Sequence, residues 1–313
     1  MSCCESMSDT VQSLSEVRAV VISYRPDLAT LLALVRALRD QIGFTYIIDN
    51  GSDAHDLALL RQNMDCERVE LVELGRNTGV ATAQNRGIAK AVAAGAQFVL
   101  LFDQDSLPES DMVSRLLACV VRQRSIGVKV AAVGPHYTDE RQDNPPPFIR
   151  VRNGRLLRHR CDSSSDIVEV DYLVSSGCLI PVEALKAVGP MREELFIDYI
   201  DIEWGLRATD AGWRCFGCCG ARMMHRLGDE PIRRFGQEFP ARSPLRHYYM
   251  MRNAVWLYIH SSLRLDWKLA DGLRFPLRFG FYALFATPRS THLRMMLRGI
   301  WHGLRGRLGP YPD

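Results

Sequence analysis

Residues Phe98–Ser106 read F-V-L-L-F-D-Q-D-S. Four large apolar residues, Val99 to Phe102, stop at two aspartates one residue apart, Asp103 and Asp105. This is the pattern of a buried strand whose carboxyl end reaches the edge of a sheet. In open α/β sheets ligands bind in the crevice at that edge. Side chains two positions apart on an extended chain point the same way, so both carboxylates would face one point. Two hard oxygen ligands there suit Mg²⁺ or Mn²⁺, which also holds a diphosphate. The alternative is a loop with two solvated acids, because D-x-D alone is a common triplet. Ser106 and Glu109 have capping-box spacing and Pro108 suits a first turn, which predicts a helix directly after the aspartates.

Upstream, the same alternation repeats. Strands are predicted over 18–23, 44–48 and 69–74, each followed by a polar loop. Between them, Leu28, Leu31, Leu32, Val35, Leu38 and Ile42 recur at helical spacing behind Asp27 as cap. An alanine-rich helix is expected from Val80 to Ala94, stopped by Gly95. Strands alternating with helices predict an α/β fold with a mostly parallel sheet and the loops gathered at one edge. After Val120 the pattern changes to a mixed extension of that sheet. It includes a hairpin around Asn153-Gly154, a polar loop over 136–147, a strand over 167–174 and a helix entered through Phe196–Trp204.

The 313 residues are 47% hydrophobic and 24% charged, ordinary for a globular protein. A net charge of +3 gives no reason to expect a nucleic-acid partner. Residues 1–16 are polar, without a basic and apolar leader pattern, and are expected to be disordered. Nine cysteines, an odd number, fit a reducing, cytoplasmic compartment. Cys215, Cys218 and Cys219 lack the second paired set that a zinc site needs. No apolar run is long enough to span a bilayer. The stretch 261–313 carries nine Arg or Lys against three Asp, interleaved with Phe, Leu and Met. A basic amphipathic helical tail of this kind suits peripheral contact with an anionic membrane. Packing on its own domain, or on a second copy in a homo-oligomer, is the alternative.

The first loop, Tyr24-Arg25-Pro26-Asp27, has no G-x-G-x-x-G, which argues against a Rossmann dehydrogenase, and a P-loop is missing too. A metal-dependent transfer from a nucleotide diphosphate remains. Asp49 would hydrogen-bond the base or ribose, or merely form the turn before Asn50-Gly51. Tyr24 would stack on the base or sit as a rim aromatic. Asn77, Gly79, Asn85 and Gly87 would shape an anion-favouring helix start, or serve packing and capping. Asp198, Asp201 and Glu203 lie among Phe196, Tyr199, Ile200 and Trp204. A carboxylate among aromatics can have its pKa raised toward that of a general base. Asp198 and Asp201 would share a face if the turn is helical, though acids are also ordinary at a helix start. His225, ending an apolar run, would complete a metal site or serve structure.

Together these residues resemble glycosyltransferase family 2, with its GT-A fold, and within it the bacterial rhamnosyltransferases. The resemblance covers residues 17–260. It rests on I-S-Y-R-P-D at 22–27, I-D-N-G-S at 48–52, R-N-T-G-V-A at 76–81, F-D-Q-D-S at 102–106, S-S-G-C-L-I-P at 175–181, F-I-D-Y-I-D-I-E-W at 196–204 and H-R-L-G-D at 225–229. Arg252-Asn253 belongs to the same pattern.

The resemblance implies that Tyr24 and Asp49 hold the thymine or uracil nucleoside of the donor, and Asn77 and Asp103 are expected to bind the donor beside them. It further implies that Asp103, Asp105 and His225 hold a divalent metal, and that Asp201 is the catalytic base. Ser175, Ser176 and Gly177 would lie near the acceptor or donor sugar. Ile200 stands where the family often has an acid, so Asp198 or Glu203 would take the supporting role. The expected organisation is a disordered segment over 1–16, a GT-A domain over 17–260 and a basic helical tail over 261–313. The expected reaction is inverting transfer of a sugar, L-rhamnose from dTDP-L-rhamnose, to a saccharide or lipid-linked acceptor at the cytoplasmic membrane face. A UDP-sugar donor (galactose, glucose or galactofuranose) and a non-catalytic saccharide- or membrane-binding role are the rival readings.

Overall fold

The computed structural model describes residues 14–64, 67–138, 147–225, 229–234 and 237–312. Four parallel strands build the first half of the sheet: β1 (Val17–Ser23), β2 (Phe44–Asp49), β3 (Val69–Glu73) and β4 (Phe98–Asp103), in the order β3-β2-β1-β4. Ser23 lies opposite Asp49, and Ile22 opposite Asp103. The polar residues that end β2 and β4 therefore share one edge with the end of β1.

The helices between them form for local reasons. The Asp27 side chain accepts Thr30 N–H at 2.8 Å and caps α1 (Leu28–Leu38). Asp53 accepts His55 and Asp56 N–H, each at 3.0 Å, and caps α2 (Ala54–Asn63). Gly79 precedes α3 (Val80–Ala93) with φ +89°, and a Cβ there would lie 2.8 Å from the Phe196 carbonyl. Only glycine allows that approach.

The helix expected straight after the aspartates does not start there. Ser106–Pro108 is a short strand, β5, paired antiparallel with Met223, Met224 and His225. The next helix, α4, begins at Met112 and runs to Ser125. The Ser106 hydroxyl bonds Ser176 Oγ at 2.6 Å instead of capping a helix. Here a tertiary partner overrides the local signal.

The chain then adds β6 (Val130–Thr138), the hairpin β7 (Phe148–Arg152) and β8 (Arg155–His159), β9 (Ile167–Val170), β10 (Cys178–Pro181), α5 (Val182–Val188), α6 (Ile200–Asp210) and β11 (Arg214–His225). The sheet continues β4-β10-β6-β11-β5, with β9 also on β11. The β10 pairs are antiparallel and β6 runs parallel to β11. This is a mixed α/β fold with a large, mostly parallel sheet. Of the predicted loop 136–147, residues His136–Thr138 belong to β6, and 139–146 lie outside the described residues, as do 1–13. The strand expected over 167–174 ends at Val170.

Leu31, Leu34 and Leu116 fill the core on one face of the sheet, and Ala83, Leu185 and Trp204 fill the other. After the hairpin β12 (Asp229–Arg234) and β13 (Gln237–Ala241) come α7 (Pro244–His260), α8 (Leu265–Gly272), α9 (Phe275–Phe285) and α10 (Arg289–Leu304). They make a third core, in which Met251, Trp267 and Met296 pack with Val151, Tyr199 and Leu206. The helices after residue 260 thus pack on the sheet domain, and Trp267 is 1% exposed. Among the described residues, no helix is long and apolar enough to cross a membrane.

The odd cysteine count, which fits a reducing compartment, gives no sign of a bonded pair. Cys161, between β8 and β9, is joined to Cys219 on β11 by a disulfide. The Cys219 N–H donates to Asp166 O at 3.0 Å, which draws the two segments together. Cys119, Cys178, Cys215 and Cys218 are free and buried.

Candidate active site

At the end of β4, the turn bearing Asp103 and Asp105 is tied down from two sides. Ser176 Oγ accepts Asp103 N–H at 3.1 Å and bonds Ser106 Oγ. Gln104, between the two acids, accepts Tyr24 N–H at 2.7 Å and donates to Tyr24 O at 3.3 Å. Ser176 is therefore buried beneath the turn, and Gln104 fastens it to β1. Gly177 has φ +78°, and its N–H donates to Leu101 O at 2.8 Å. Ser175 is half-buried, its carbonyl accepting Cys178 N–H at 3.1 Å. His225 lies opposite Ser106 in the β5–β11 register. Among the described residues, no three His, Cys, Asp or Glu side chains converge as a metal cage. Asp103 and Asp105 supply two hard, half-buried carboxylates, a donor set that fits Mg²⁺ or Mn²⁺.

Asp49 serves two purposes with its two oxygens. Oδ2 accepts Gly51 N–H at 3.0 Å and Ser52 N–H at 2.9 Å, forming the turn. Oδ1 is buried with no protein partner. Leaving such an acceptor unmet costs about 1–3 kcal/mol, so a ligand N–H or O–H is its natural complement. Ser23 Oγ, on the neighbouring strand, is also buried without a partner. Tyr24 stands at the rim, 38% exposed, with the Arg25 guanidinium 5.3 Å from its ring centroid.

The side-chain oxygen of Asn77 binds the protein itself. Its Oδ1 accepts Asn50 Nδ2 at 3.2 Å and Gly79 N–H at 3.0 Å, while Asn50 Oδ1 accepts Thr78 N–H at 2.8 Å. Asn85 likewise holds Met191 through both backbone groups, each at 2.9 Å. These asparagines fasten loops together.

Asp201 lies in the first turn of α6, near enough to Asp103 for their charges to interact. Burial first, and then the nearby charges of Asp198 and Asp103, push its pKa up to about 6 against the opposing bond from Ile202 N–H. A carboxylate so placed takes up a proton near neutral pH. Asp198 is not on the same helical face. It precedes α6 with φ +65°, and its carboxylate meets Arg246 Nε at 3.0 Å and Nη2 at 2.9 Å, and also Arg242. Burial would raise its pKa, but the two guanidiniums outweigh burial and hold it well below the usual range. Glu203 is 2% exposed and paired with Arg207 at 3.0 Å and Arg192 at 3.3 Å. It braces α6 and leaves Asp201 as the raised carboxylate of the turn.

The family model for Glycosyl transferase family 2 matches residues 19–178. The dTDP-rhamnosyl transferase RfbF of Shigella flexneri is 33% identical over 244 residues, 78% of this chain and 80% of that one. The chain belongs to glycosyltransferase family 2. The Galactofuranosyltransferase GlfT1 of Mycolicibacterium smegmatis is 26% identical over 305 residues, covering 90% of this glycosyltransferase and 94% of that protein. Among solved structures, S. aureus TarS 1–349 in complex with UDP-GlcNAc superposes with a TM-score of 0.59 at 13% identity, over 93% of this chain and 81% of that one. GalNAc-T7 with UDP, GalNAc and Mn²⁺ gives 0.59 at 13% identity over 93% of this chain, which spans only 56% of that one. These likenesses place the glycosyltransferase in the GT-A fold.

In this glycosyltransferase, residues more than fifty positions downstream hold the turn before Asp201. Asn253 Nδ2 donates to the carbonyls of Leu195, Ile197 and Asp198 at 2.8–2.9 Å. Arg252, fully buried, donates to Leu195 O at 2.9 Å. The Arg252-Asn253 pair was visible as part of the family pattern, but Arg242 and Arg246 carried no local signal.

Proposed function

We propose that this glycosyltransferase moves L-rhamnose from dTDP-L-rhamnose to a saccharide or lipid-linked saccharide acceptor, with inversion, in cell-surface polysaccharide synthesis. The 33% identity to a dTDP-rhamnosyl transferase over 78% of the chain supports the donor. The observation that carries the mechanism is the place of Asp201, a buried carboxylate in the first turn of α6 within electrostatic reach of Asp103, its pKa raised by that burial.

In this reading Tyr24 stacks on the base, and the free Oδ1 of Asp49 accepts an N–H or O–H of the nucleoside. Asp103 and Asp105, joined by His225, would hold Mg²⁺ or Mn²⁺, whose charge would offset that growing on the departing diphosphate. Ser176 and Gln104 keep the acidic turn in place. Asp201 takes the proton of the acceptor hydroxyl as that oxygen attacks the anomeric carbon. One displacement with one base inverts the centre. The 26% identity to a galactofuranosyltransferase favours, as second reading, the same mechanism with a UDP-sugar.

A lipid-linked acceptor places the enzyme at the cytoplasmic face of the membrane. The C-terminal helices suit that place. Leu265, Leu273 and Leu277 are 74%, 73% and 75% exposed, far beyond what their packing requires. Leu293, Leu297, Trp301 and Leu304 form an exposed stripe along α10. Arg274, Arg289, Arg294, Arg305 and Arg307 are exposed around them. The acids of this stretch among the described residues, Asp266 and Asp271, are paired with Arg264 and Arg278. Exposed leucines among unopposed arginines are complementary to an anionic lipid surface.

Thermal shift with dTDP, UDP, GDP and CDP, each with and without Mn²⁺, tests the site. A metal-dependent stabilisation greatest with dTDP supports the reading, because a ligand that binds only the folded state raises Tm by linkage. A response led by UDP favours the second reading, and no response to any nucleotide would remove the first.

A further inference from the structure

The turn that delivers Asp201 is conformationally costly. Phe196, Asp198 and Tyr199 all have φ between +65° and +67°. Residues with a Cβ pay about 1 kcal/mol or more each in that region and stay there only when their surroundings hold them. The holders of Phe196 and Asp198 lie on α3 and α7 or just before α7. Val80 N–H donates to Phe196 O at 2.7 Å, the Phe196 ring stacks on Tyr249 at 4.9 Å, and Arg242 and Arg246 grip Asp198.

Tyr199, the residue directly before α6, has a different holder. Its hydroxyl donates to Asp271 Oδ2 at 2.9 Å. Asp271 also accepts from the Tyr258 hydroxyl, and from Nη2 and Nη1 of Arg278 at 3.2 and 3.3 Å respectively. Tyr199 further meets Trp267 edge-on at 6.3 Å, and the Arg278 guanidinium lies 5.8 Å from its ring centroid. Asp271, Arg278 and Trp267 all belong to α8 and α9.

We infer that Asp271 is a positioning residue for transfer, and that through Tyr199 the C-terminal helices set the place of the base at the start of α6. The inference rests on Asp201 being that base. It gives α8 and α9 a second task besides any contact with a membrane, on the side opposite their exposed leucines. A carboxylate that receives two phenols and a guanidinium is a rigid node, and the phenol nearest the base is one of its arms. Loss of that arm lets Tyr199 leave the left-handed region and carries Asp201 off the line of the acceptor hydroxyl. A displacement of about 1 Å of a catalytic group can cost on the order of a hundredfold in rate.

The test compares Tyr199→Phe, Asp271→Asn, the double variant and Asp201→Asn in the full-length chain. Donor consumption in the presence of a saccharide acceptor is measured with each, together with nucleotide binding and Tm. Tyr199→Phe keeps the ring and loses only the hydroxyl, so it folds even if Asp271→Asn does not. The expected result is kcat lowered about tenfold in Tyr199→Phe, with nucleotide affinity and donor KM unchanged and the double variant no worse than Asp271→Asn alone. A merely structural bond would lower Tm and leave kcat per folded molecule intact, and that outcome would overturn the inference. Should Asp201→Asn retain wild-type turnover, the assignment of the base itself fails. Should Asp201→Asn be inactive while Tyr199→Phe and Asp271→Asn turn over normally, the base stands and the positioning role falls.

Discussion

Asp198 and Asp201 stand three residues apart and are driven in opposite directions. The guanidiniums of Arg242 and Arg246 overcome burial and keep Asp198 ionised, whereas burial and neighbouring acids push Asp201 up to about 6. Neighbouring carboxylates with pKa values driven apart mark a division of labour, one for structure and one for proton transfer.

Asp201→Asn is expected to reduce transfer at least about a thousandfold, the upper part of what general base catalysis supplies. Nucleotide binding should persist. Steady-state turnover and nucleotide titration check this pair of outcomes.

The pH dependence follows with a definite sign. The rate should rise as Asp201 ionises through about pH 6 and then level. Stability moves the other way. A carboxylate whose folded pKa is raised binds its proton more tightly in the native state. Its ionisation therefore costs stability progressively between about pH 4 and 6, and the full cost persists above. Asp201→Asn should be more stable than the parent at pH 7.5, by about 1–3 kcal/mol, and equal to it near pH 4. Denaturant melts at the two pH values read this.

Asp198 contributes with the opposite sign. Its lowered pKa stabilises the fold above the ordinary carboxylate range, and that contribution fades as pH falls below about 4. Asp198→Asn removes the buried charge that Arg242 and Arg246 share and should cost about 1–3 kcal/mol at neutral pH. A much smaller loss would mean that solvent satisfies Arg242 and Arg246.

Ser176→Ala removes the hydroxyl under the acidic turn. Nucleotide diphosphate binding in Mn²⁺ should weaken about tenfold, the worth of one or two hydrogen bonds. Binding in EDTA should change little. An equal loss in both conditions would place Ser176 against the nucleotide or sugar.

Leu273→Gln with Leu277→Gln should leave Tm unchanged, because exposed substitutions act within about 0.5 kcal/mol. Sedimentation with phosphatidylglycerol vesicles should fall. Binding that survives the pair of substitutions would exclude this face as the lipid contact.

Much of this architecture is local and was therefore legible. The apolar run into Asp103 and Asp105 marks β4 and its edge, and Asn153-Gly154 turns the β7–β8 hairpin with both residues at positive φ. What was illegible depends on partners distant in sequence. The Ser106–Glu109 spacing imitates a helix cap, but Ser176, 70 residues on, takes the hydroxyl. Asp198 and Asp201 have helical spacing, but arginines 44 and 48 residues downstream draw Asp198 off the helix. Asn77 carries a donor-site signature, and no local pattern announces the partner that its oxygen also finds across the loops, Asn50. The alternation of leucine and arginine after residue 260 does not say which leucines pack. Trp267 and Met296 are buried while Leu273 and Leu277 face solvent.

The proposed reaction is transfer of rhamnose from a thymidine diphosphate donor. Its most direct test is donor competition. The purified full-length enzyme is given Mn²⁺, a saccharide acceptor and equal concentrations of dTDP-L-rhamnose, UDP-galactose, UDP-glucose and UDP-galactofuranose, and each released nucleotide diphosphate is quantified. dTDP is expected to appear first, and Asp201→Asn to release almost none. Preferential release of UDP would contradict the donor, and continued release of dTDP by Asp201→Asn at the parent rate would contradict the mechanism.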